Sequence, residues 1–212
     1  MPPRTPSAQS GSRTPSGSRT PSRSPRKLRG PLSLVVLGLL AEEPLHPYAM
    51  RQRIGERAHD RLPGVRPASL YDAVRRLADA GLISASEPGR AGHRPERVEY
   101  SITDAGRAAL AGWVTESLAD LGRAEEFPAA LSFMYSLGRD RVVAVLRQRA
   151  VALAASIDAG QGQLAEAEAG GIAPVFLSEH HYQLALRQAE HAWLVTFTGA
   201  LAAGTLDWPG GT

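Results

Sequence analysis

The chain has 212 residues, 43% hydrophobic and 21% charged, which is enough to bury the core of one large domain or two small ones. Cysteine is absent, which excludes disulfide bonds, thiol catalysis, iron–sulfur clusters and cysteine-ligated zinc. The net charge of +3 is unevenly spread, because residues 1–30 carry +7, residues 31–110 carry +1 and residues 111–212 carry −5. A basic N-terminal end indicates a polyanionic partner for that end.

The first 30 residues have low complexity. The hexapeptide Gly-Ser-Arg-Thr-Pro-Ser occurs twice, and Met1 is the only bulky apolar residue before Leu28. Such a segment buries too little apolar surface to offset the entropy lost on ordering, so we predict that it is disordered. Two roles fit a basic disordered tail: a solvated extension, or an arm that binds nucleic-acid phosphates without sequence preference.

The apolar run from Leu34 to Ala41 follows basic residues and resembles the core of a secretory signal. The basic region before it is too long for a signal, and Leu39-Leu40-Ala41 makes a weak cleavage site. The run is also too short to span a bilayer. We therefore predict a buried first helix and no association with a membrane.

Two further helices are predicted from prolines at a first helical position, Pro47 and Pro67. The helix that starts at Pro67 is expected to end near Ala80, because Gly81 follows it. Its apolar residues recur with helical periodicity and predict a single buried stripe, formed by Leu70, Ala73, Val74 and Leu77.

The periodicity then changes to two. Residues 82–86 and 98–102 alternate between apolar and polar and predict two strands, and Thr103 is expected to cap the next helix. The Gly- and Pro-rich segment between the strands predicts a hairpin tip. The order of helices and strands is that of a winged helix-turn-helix, so the predicted fold class is mainly α with a small β-hairpin wing.

In this fold the third helix enters the major groove, and the wing reaches neighbouring phosphates or the minor groove. We therefore predict double-stranded DNA as a partner. Arg75 is expected to read a guanine, whereas Arg76 is expected to bind phosphate or to pair with Asp72 or Asp79. A solvated face is the alternative. The candidate DNA-binding residues are Arg66, Ser69, Tyr71, Arg75 and Arg76 around the third helix, and Arg90, His93, Arg94 and Arg97 on the wing.

Residues 111–204 are predicted to be helical. Apolar residues between Arg139 and Glu168 follow a heptad pattern, and the helix from about Val175 to Ala203 is apolar on so many sides that a second subunit is expected to cover it. We therefore predict a homodimer. The candidate dimerisation residues are Leu146, Leu153, Ile157, Leu164, Leu184, Trp193 and Phe197.

The predicted organisation has four parts: a disordered basic tail at 1–30, a winged-helix domain at 31–110, a helical dimerisation domain at 111–204 and a flexible C-terminus at 205–212. Aromatic residues of the helical domain are candidates for an effector pocket, with packing in the core or dimer interface as the alternative. These residues are Trp113, Phe133, Tyr135 and Trp193.

Signals for an enzyme are weak. The sequence has no glycine-rich phosphate loop, nucleophile elbow or paired-carboxylate motif. Neither His180 nor His181 has a histidine or acid four residues away on the same helical face, as a metal site would require. We therefore predict no catalytic residues, no cofactor and no metal.

Several segments of the sequence resemble the PadR-like family of bacterial transcriptional regulators. Departures occur at Pro47 and Ala68, where the family often has Gly, at Arg66, where it often has Ser, and at Val98-Glu99, where it often has a basic and an aromatic residue. The resemblance implies the long form of the family, with a helical C-terminal dimerisation domain, acting in the bacterial cytoplasm in association with the nucleoid. The similar segments are residues 34–40, 44–48, 68–77, 81–83 and 100–106.

Two functions follow from these features. The first is a dimeric repressor that binds a palindromic operator and is released by a small-molecule effector. The alternative is a helical interaction or ligand-binding protein that uses its winged-helix module to contact protein or RNA. A comparison of binding to the chain's own upstream region, random duplex and RNA distinguishes the two.

Overall fold

The structure is a computed structural model that describes residues 28–86 and 98–209. The predicted tail up to residue 27 and the predicted wing-tip residues 87–97 lie outside this part. The helices are α1 Pro31–Glu42, α2 Pro47–Glu56, α3 Leu70–Asp79, α4 Asp104–Ala119, α5 Phe127–Ser132, α6 Arg139–Ala169 and α7 Ser178–Ala202; the strands are β1 Ile83–Ala85 and β2 Tyr100–Ile102.

Helix α1 lies at the centre of the fold. All nine of its residues from Leu32 to Leu40 are buried, and it contacts α2, α3, α4, α5 and β2. A helix that is apolar all round has to be covered all round, which explains its central position. The prediction of a buried first helix is confirmed.

Two close approaches join the elements around α1. A Cβ atom added at Gly38 would lie less than 3.0 Å from the ring of Phe133, and one added at Gly106 would lie less than 3.0 Å from the carbonyl oxygen of Leu82. Glycine therefore permits α1 to contact the Phe133 ring, and it permits α4 to begin against the strand β1. The helix α4 runs unbroken across residue 110, where the predicted boundary between the two domains lies. The two predicted domains are therefore joined by α4 and by its packing on α1, and not by a linker.

The helix α3 carries the predicted buried stripe, formed by Leu70, Ala73, Val74 and Leu77, and this prediction is confirmed. Its start differs from the expectation, because Pro67–Ser69 form a 3₁₀ turn and α3 begins at Leu70. The side chain of Arg66 makes no cap hydrogen bond at the start of this turn, and that of Ser69 makes none at the start of α3, so both begin without a side-chain cap.

The two strands form an antiparallel hairpin in which Ile83 pairs with Ile102 and Ala85 pairs with Tyr100. The sequence did not reveal a third strand-like position, Leu45, whose N–H and C=O exchange hydrogen bonds of 3.1 and 3.0 Å with Tyr100. Thr103 caps α4 as predicted, since its hydroxyl accepts from the Gly106 N–H at 3.0 Å.

The helices α6 and α7 pack along each other as a long hairpin. Four predicted dimerisation residues on α6 are buried inside this single chain, with at most 9% of each side chain exposed: Leu146, Leu153, Ile157 and Leu164. Leu184 of α7 is partly buried and lies next to Gly160 of α6. These five residues therefore contribute to packing within the chain, and their assignment to a dimer interface stays a prediction.

The predicted bounds of the N-terminal tail and of the C-terminal segment also differ from what the structure shows. Arg29 was assigned to the tail, yet its guanidinium donates to Glu126 at 2.9 Å and to the Ser117 hydroxyl at 2.8 Å, and it also pairs with Glu116. Trp208, assigned to a flexible C-terminus, packs against the core. Each of these residues finds a specific tertiary partner, so folded structure extends from Leu28 to beyond residue 205.

Candidate nucleic-acid interface

One face of α3 stays exposed while the other supplies the core. Tyr71 is 62% exposed, and the Arg75 side chain is 68% exposed one turn further along. Arg66 is exposed just before the 3₁₀ turn, and Ser69 is half-exposed at the start of α3. The hydroxyl of Ser69 makes no cap hydrogen bond. These four side chains therefore surround the beginning of one helix, where a nucleic acid would meet them together.

Arg75 is held by a neighbour on its own helix. Its Nη2 donates to Asp72 Oδ1 at 2.8 Å, an exposed pair three residues apart. Exposed pairs of this kind contribute at most about 1 kcal/mol, whereas a bidentate contact with guanine contributes roughly 1–3 kcal/mol. Asp72 therefore orients the guanidinium of Arg75, and this ion pair is weak enough for a contact with a base to replace it.

Arg76 differs from its neighbour in burial. Its side chain is half-buried, and its Nε is buried without a hydrogen-bond acceptor among the described residues. The stem is thus fixed against the protein, which suits a phosphate contact at the edge of an interface better than base reading. The four wing residues Arg90, His93, Arg94 and Arg97 lie outside the described part of the chain.

The four aromatic candidates for an effector pocket do not share one cavity. Phe133 is 1% exposed, and Trp113 lies under the Arg29 guanidinium at 5.9 Å. Trp193 is 42% exposed and stacks on Phe197 at 4.7 Å. Tyr135 alone of the four lines a described cavity, one of about 600 Å³ that also contains Trp208 and Arg139. The rings of Phe133 and Tyr135 are neighbours at 6.2 Å, and the four-residue effector pocket stays a prediction.

A polar cluster lies where α1, α2 and the segment after α5 meet. Arg57 donates to both carboxylate oxygens of Glu42 at 2.7 and 2.6 Å, and the Tyr135 hydroxyl donates to the same carboxylate. The hydrogen bond from Arg57 is the main reason that the pKa of Glu42 lies below its ordinary value. Burial and the hydrogen bond to Glu42 raise the pKa of Tyr135. The cluster fixes the winged-helix part against the helical part.

Beside this cluster, His59 is 8% exposed and its ring lies 5.3 Å from that of Phe133. Its Nδ1 is buried without a hydrogen-bond partner among the described residues. Burial is the main cause that lowers the pKa of His59, and the nearby Arg57 lowers it further, against the opposing effects of Glu42 and Asp60. The folded protein therefore favours neutral His59.

This burial predicts acid sensitivity. The pKa of His59 is lower in the folded chain than the ordinary value of 6.5, so the unfolded chain binds the proton more readily and the stability of the fold decreases as the pH drops below about 6.5. Between pH 7.5 and 5.5, we expect the melting temperature of a His59→Leu variant to decrease less than that of the wild type. An exposed control, His181→Leu, should lose as much as the wild type. Equal losses in all three proteins would contradict the prediction.

Among the described residues, no three or more metal-ligating side chains lie together, and no helix is long and apolar enough to cross a membrane. His180 and His181 each lie 3.4 Å from a glutamate, Glu179 and Glu168 respectively, on the exposed surface.

Comparison with known proteins identifies the N-terminal part of the fold. Residues 36–112 match the model of the transcriptional regulator PadR-like family. The chain carries a PadR-like domain. The match confirms the resemblance over these residues, and the family that it names is one of transcriptional regulators. The matched segment includes α1, α2, α3, the hairpin and the first half of α4.

Several solved structures are similar to the chain that carries this PadR-like domain. Bacillus subtilis PadR in complex with operator DNA is 21% identical, with 80% of this chain and 98% of that chain covered and a TM-score of 0.35. The same protein with p-coumaric acid is 20% identical, with coverages of 82% and 99% and a TM-score of 0.34. A PadR-like regulator from Bacillus cereus is 18% identical, with coverages of 82% and 99% and a TM-score of 0.36. A search of curated proteins finds no match.

Proposed function

We propose that this chain is a homodimeric transcriptional repressor that binds a palindromic operator through α3 and the wing, in the bacterial cytoplasm at the nucleoid. The observation that carries the proposal is the exposed face of α3 inside the PadR-like domain, where Tyr71 and Arg75 project away from the buried stripe. On this proposal Arg75 and Tyr71 contact bases, while Arg66, Ser69, Arg76 and the wing residues Arg90, His93, Arg94 and Arg97 contact phosphates or the minor groove.

The roles of helix and wing are separable by mutation. We expect Arg75→Ala to lower the preference for operator over random duplex by roughly 1–3 kcal/mol, because a base contact is lost. Arg94→Ala should weaken binding to both duplexes about equally and flatten the salt dependence, because a phosphate contact is lost. Arg147→Ala, at an exposed arginine on α6, is the matched control and should change neither. Fluorescence anisotropy at several salt concentrations measures all three, and an equal weakening of both duplexes by Arg75→Ala would contradict its assigned role.

The basic N-terminal tail is proposed to act as an electrostatic arm on DNA. Deleting residues 2–27 should make the slope of log affinity against log salt shallower by about two, since each neutralised phosphate contributes about −0.9. The melting temperature should not change. Adding Arg29→Ala should lower it by roughly 3–12 °C, because charge-assisted hydrogen bonds to Glu126 and Ser117 are lost. An unchanged salt slope would contradict this proposal, because it would show that the tail neutralises no phosphates.

The proposed dimer rests on apolar surface that α7 leaves uncovered. Tyr182 is 61%, Leu186 is 48% and Trp193 is 42% exposed, and their spacing puts them on one side of the helix. At the turn before α7, Phe176 is 78% exposed. A surface of this kind marks an interaction site, and a second copy of the chain supplies a matching apolar face.

The proposed effector has one candidate location among the described cavities. The cavity of about 600 Å³ beside Tyr135 joins two aromatic side chains with two arginines, Arg139 and Arg141, and with Asp140. Its volume lies within the range of small-molecule sites. Tyr135 also bonds to Glu42 of α1, so a molecule that moved Tyr135 would disturb the contact between the helical part and the PadR-like domain.

A further inference from the structure

A second cavity lies on the DNA-facing side of the PadR-like domain. It has a volume of about 410 Å³ and opens between the start of α2, the start of α3 and β2. The described residues that line it are His46, Pro47, Tyr48, Tyr71, Val98 and Tyr100. Tyr71 belongs to both this cavity and the exposed face of α3, so the cavity continues directly into the surface proposed to contact bases.

The part of the lining that the structure describes is mostly apolar and includes no arginine, lysine or carboxylate. Three tyrosine rings, a proline and a valine form most of it. The Nδ1 of His46 accepts a hydrogen bond from the Ala49 N–H at 3.0 Å. A phosphate is therefore a poor occupant, because nothing described in the lining would neutralise it. The chemistry suits an apolar group on a planar ring.

Two tyrosines are the most exposed of the described residues that line the cavity. Tyr48 is 59% exposed and Tyr71 is 62% exposed, and they come from the first turns of α2 and α3. The first turn of a recognition helix is where side chains of helix-turn-helix proteins meet base edges. In the major groove, thymine is the base that presents an apolar substituent, its 5-methyl group, and apolar side chains read it by contact.

We propose that this cavity reads thymine: Tyr48 and Tyr71 enclose the 5-methyl edge of one thymine in each operator half-site. The inference rests on the proposed binding of DNA by α3 and adds Tyr48, with His46 and Pro47, to the residues that determine sequence preference. Arg75, one turn beyond Tyr71, then contacts the neighbouring base pair. The half-site consequently contains a thymine next to a guanine contact, at a fixed spacing set by the helix.

The test removes only the 5-methyl group of individual thymines in the operator. An operator is first obtained by selection from random duplex with the full-length protein, and each thymine is then replaced in turn by deoxyuridine, which pairs identically. We expect the affinity of the wild type to fall about fourfold at one thymine in each half-site, from the loss of one buried methyl group. Replacing both thymines should multiply the two effects.

Variants locate the methyl contact. Tyr71→Ala and Tyr48→Ala should bind the thymine and deoxyuridine operators equally, whereas Tyr48→Phe should keep the fourfold difference because its ring remains. Both tyrosines are mostly exposed, so melting temperatures should stay close to that of the wild type. If the wild type prefers its operator but tolerates deoxyuridine at every position, the inference is wrong and the cavity serves another occupant, such as a small aromatic molecule.

Two other outcomes would overturn either the inference or the proposed function. A methyl effect that persists in both alanine variants would overturn the inference, because the thymine would then be read elsewhere. A wild-type protein that yields no preferred duplex at all would overturn the proposed function itself. Failure of the inference and failure of the proposed function are therefore distinguished by whether selection produces an operator.

Discussion

Replacing Leu186 and Trp193 of α7 together by Glu should convert a dimer into a monomer and weaken operator binding by roughly 10²–10⁴-fold. The two residues lie on one side of the helix and are 48% and 42% exposed in the single chain, so the charges fall on the proposed interface and not in the core. The loss is large because a monomer engages one half-site and forfeits the effective concentration gained by linking two. Light scattering and fluorescence anisotropy measure the two consequences.

The control for this double variant is Gln148→Glu, which adds a charge at an exposed position of α6 and should leave dimer and affinity unchanged. Leu153 and Ile157 are unsuitable targets, because both are buried within the chain and a charge there would unfold it. A wild-type protein that is monomeric at micromolar concentration would contradict the proposed dimer. A double variant that remained dimeric would place the interface elsewhere.

Arg149→Ala should destabilise the fold by about 3–6 kcal/mol, because two hydrogen bonds from a buried charged group are lost, each worth about 1.5–3 kcal/mol. Arg149 is 2% exposed; its Nε donates to Glu190 at 2.7 Å, and its Nη1 donates to the carbonyl oxygen of Asp120 at 3.0 Å. Its guanidinium also lies 3.9 Å above the Phe127 ring. One side chain thus connects α6 with α7, α5 and the end of α4.

Thermal or urea unfolding measures this effect, with Arg141→Ala as the control at an exposed position of the same helix. The control should change stability by no more than about 0.5 kcal/mol. The double variant Arg149→Met with Glu190→Leu should recover much of the loss, because an apolar pair replaces the ion pair without leaving a buried charge. A change below 1 kcal/mol in Arg149→Ala would show that solvent or a neighbour compensates for the missing guanidinium.

The winged-helix part was predictable because its signals are local. The stripe from Leu70 to Leu77 repeats at the helical period, and Thr103 stands where a cap is needed, so each element is specified by neighbours in sequence. The bridge between Leu45 and Tyr100 was missed because the two residues are far apart in the chain and a single residue shows no strand periodicity. Pairings of this kind are determined by tertiary packing.

The candidate dimerisation residues show why contacts between distant parts of the chain were not predictable from the sequence. A heptad stripe indicates that a helix is covered along one side, but a helix of the same chain and a helix of a partner present the same apolar surface. The stripe of α6 is covered by the chain itself, whereas the exposed apolar residues include Leu186 and Trp193 of α7 and Val151 of α6. Arg29 was similarly indistinguishable from the other arginines of the basic tail, since its importance comes from Glu126 and Ser117 far along the sequence.

The most direct test of the central claim is selection of binding sites by the full-length protein from a library of random duplexes. We predict enrichment of one two-fold symmetric sequence whose half-sites are separated by about 10–10.5 base pairs or a multiple, as a symmetric pair of recognition helices requires. An Arg75→Ala protein should enrich a more degenerate sequence. Recovery of no common sequence, or equal binding to RNA and random duplex, would contradict sequence-specific DNA recognition by α3.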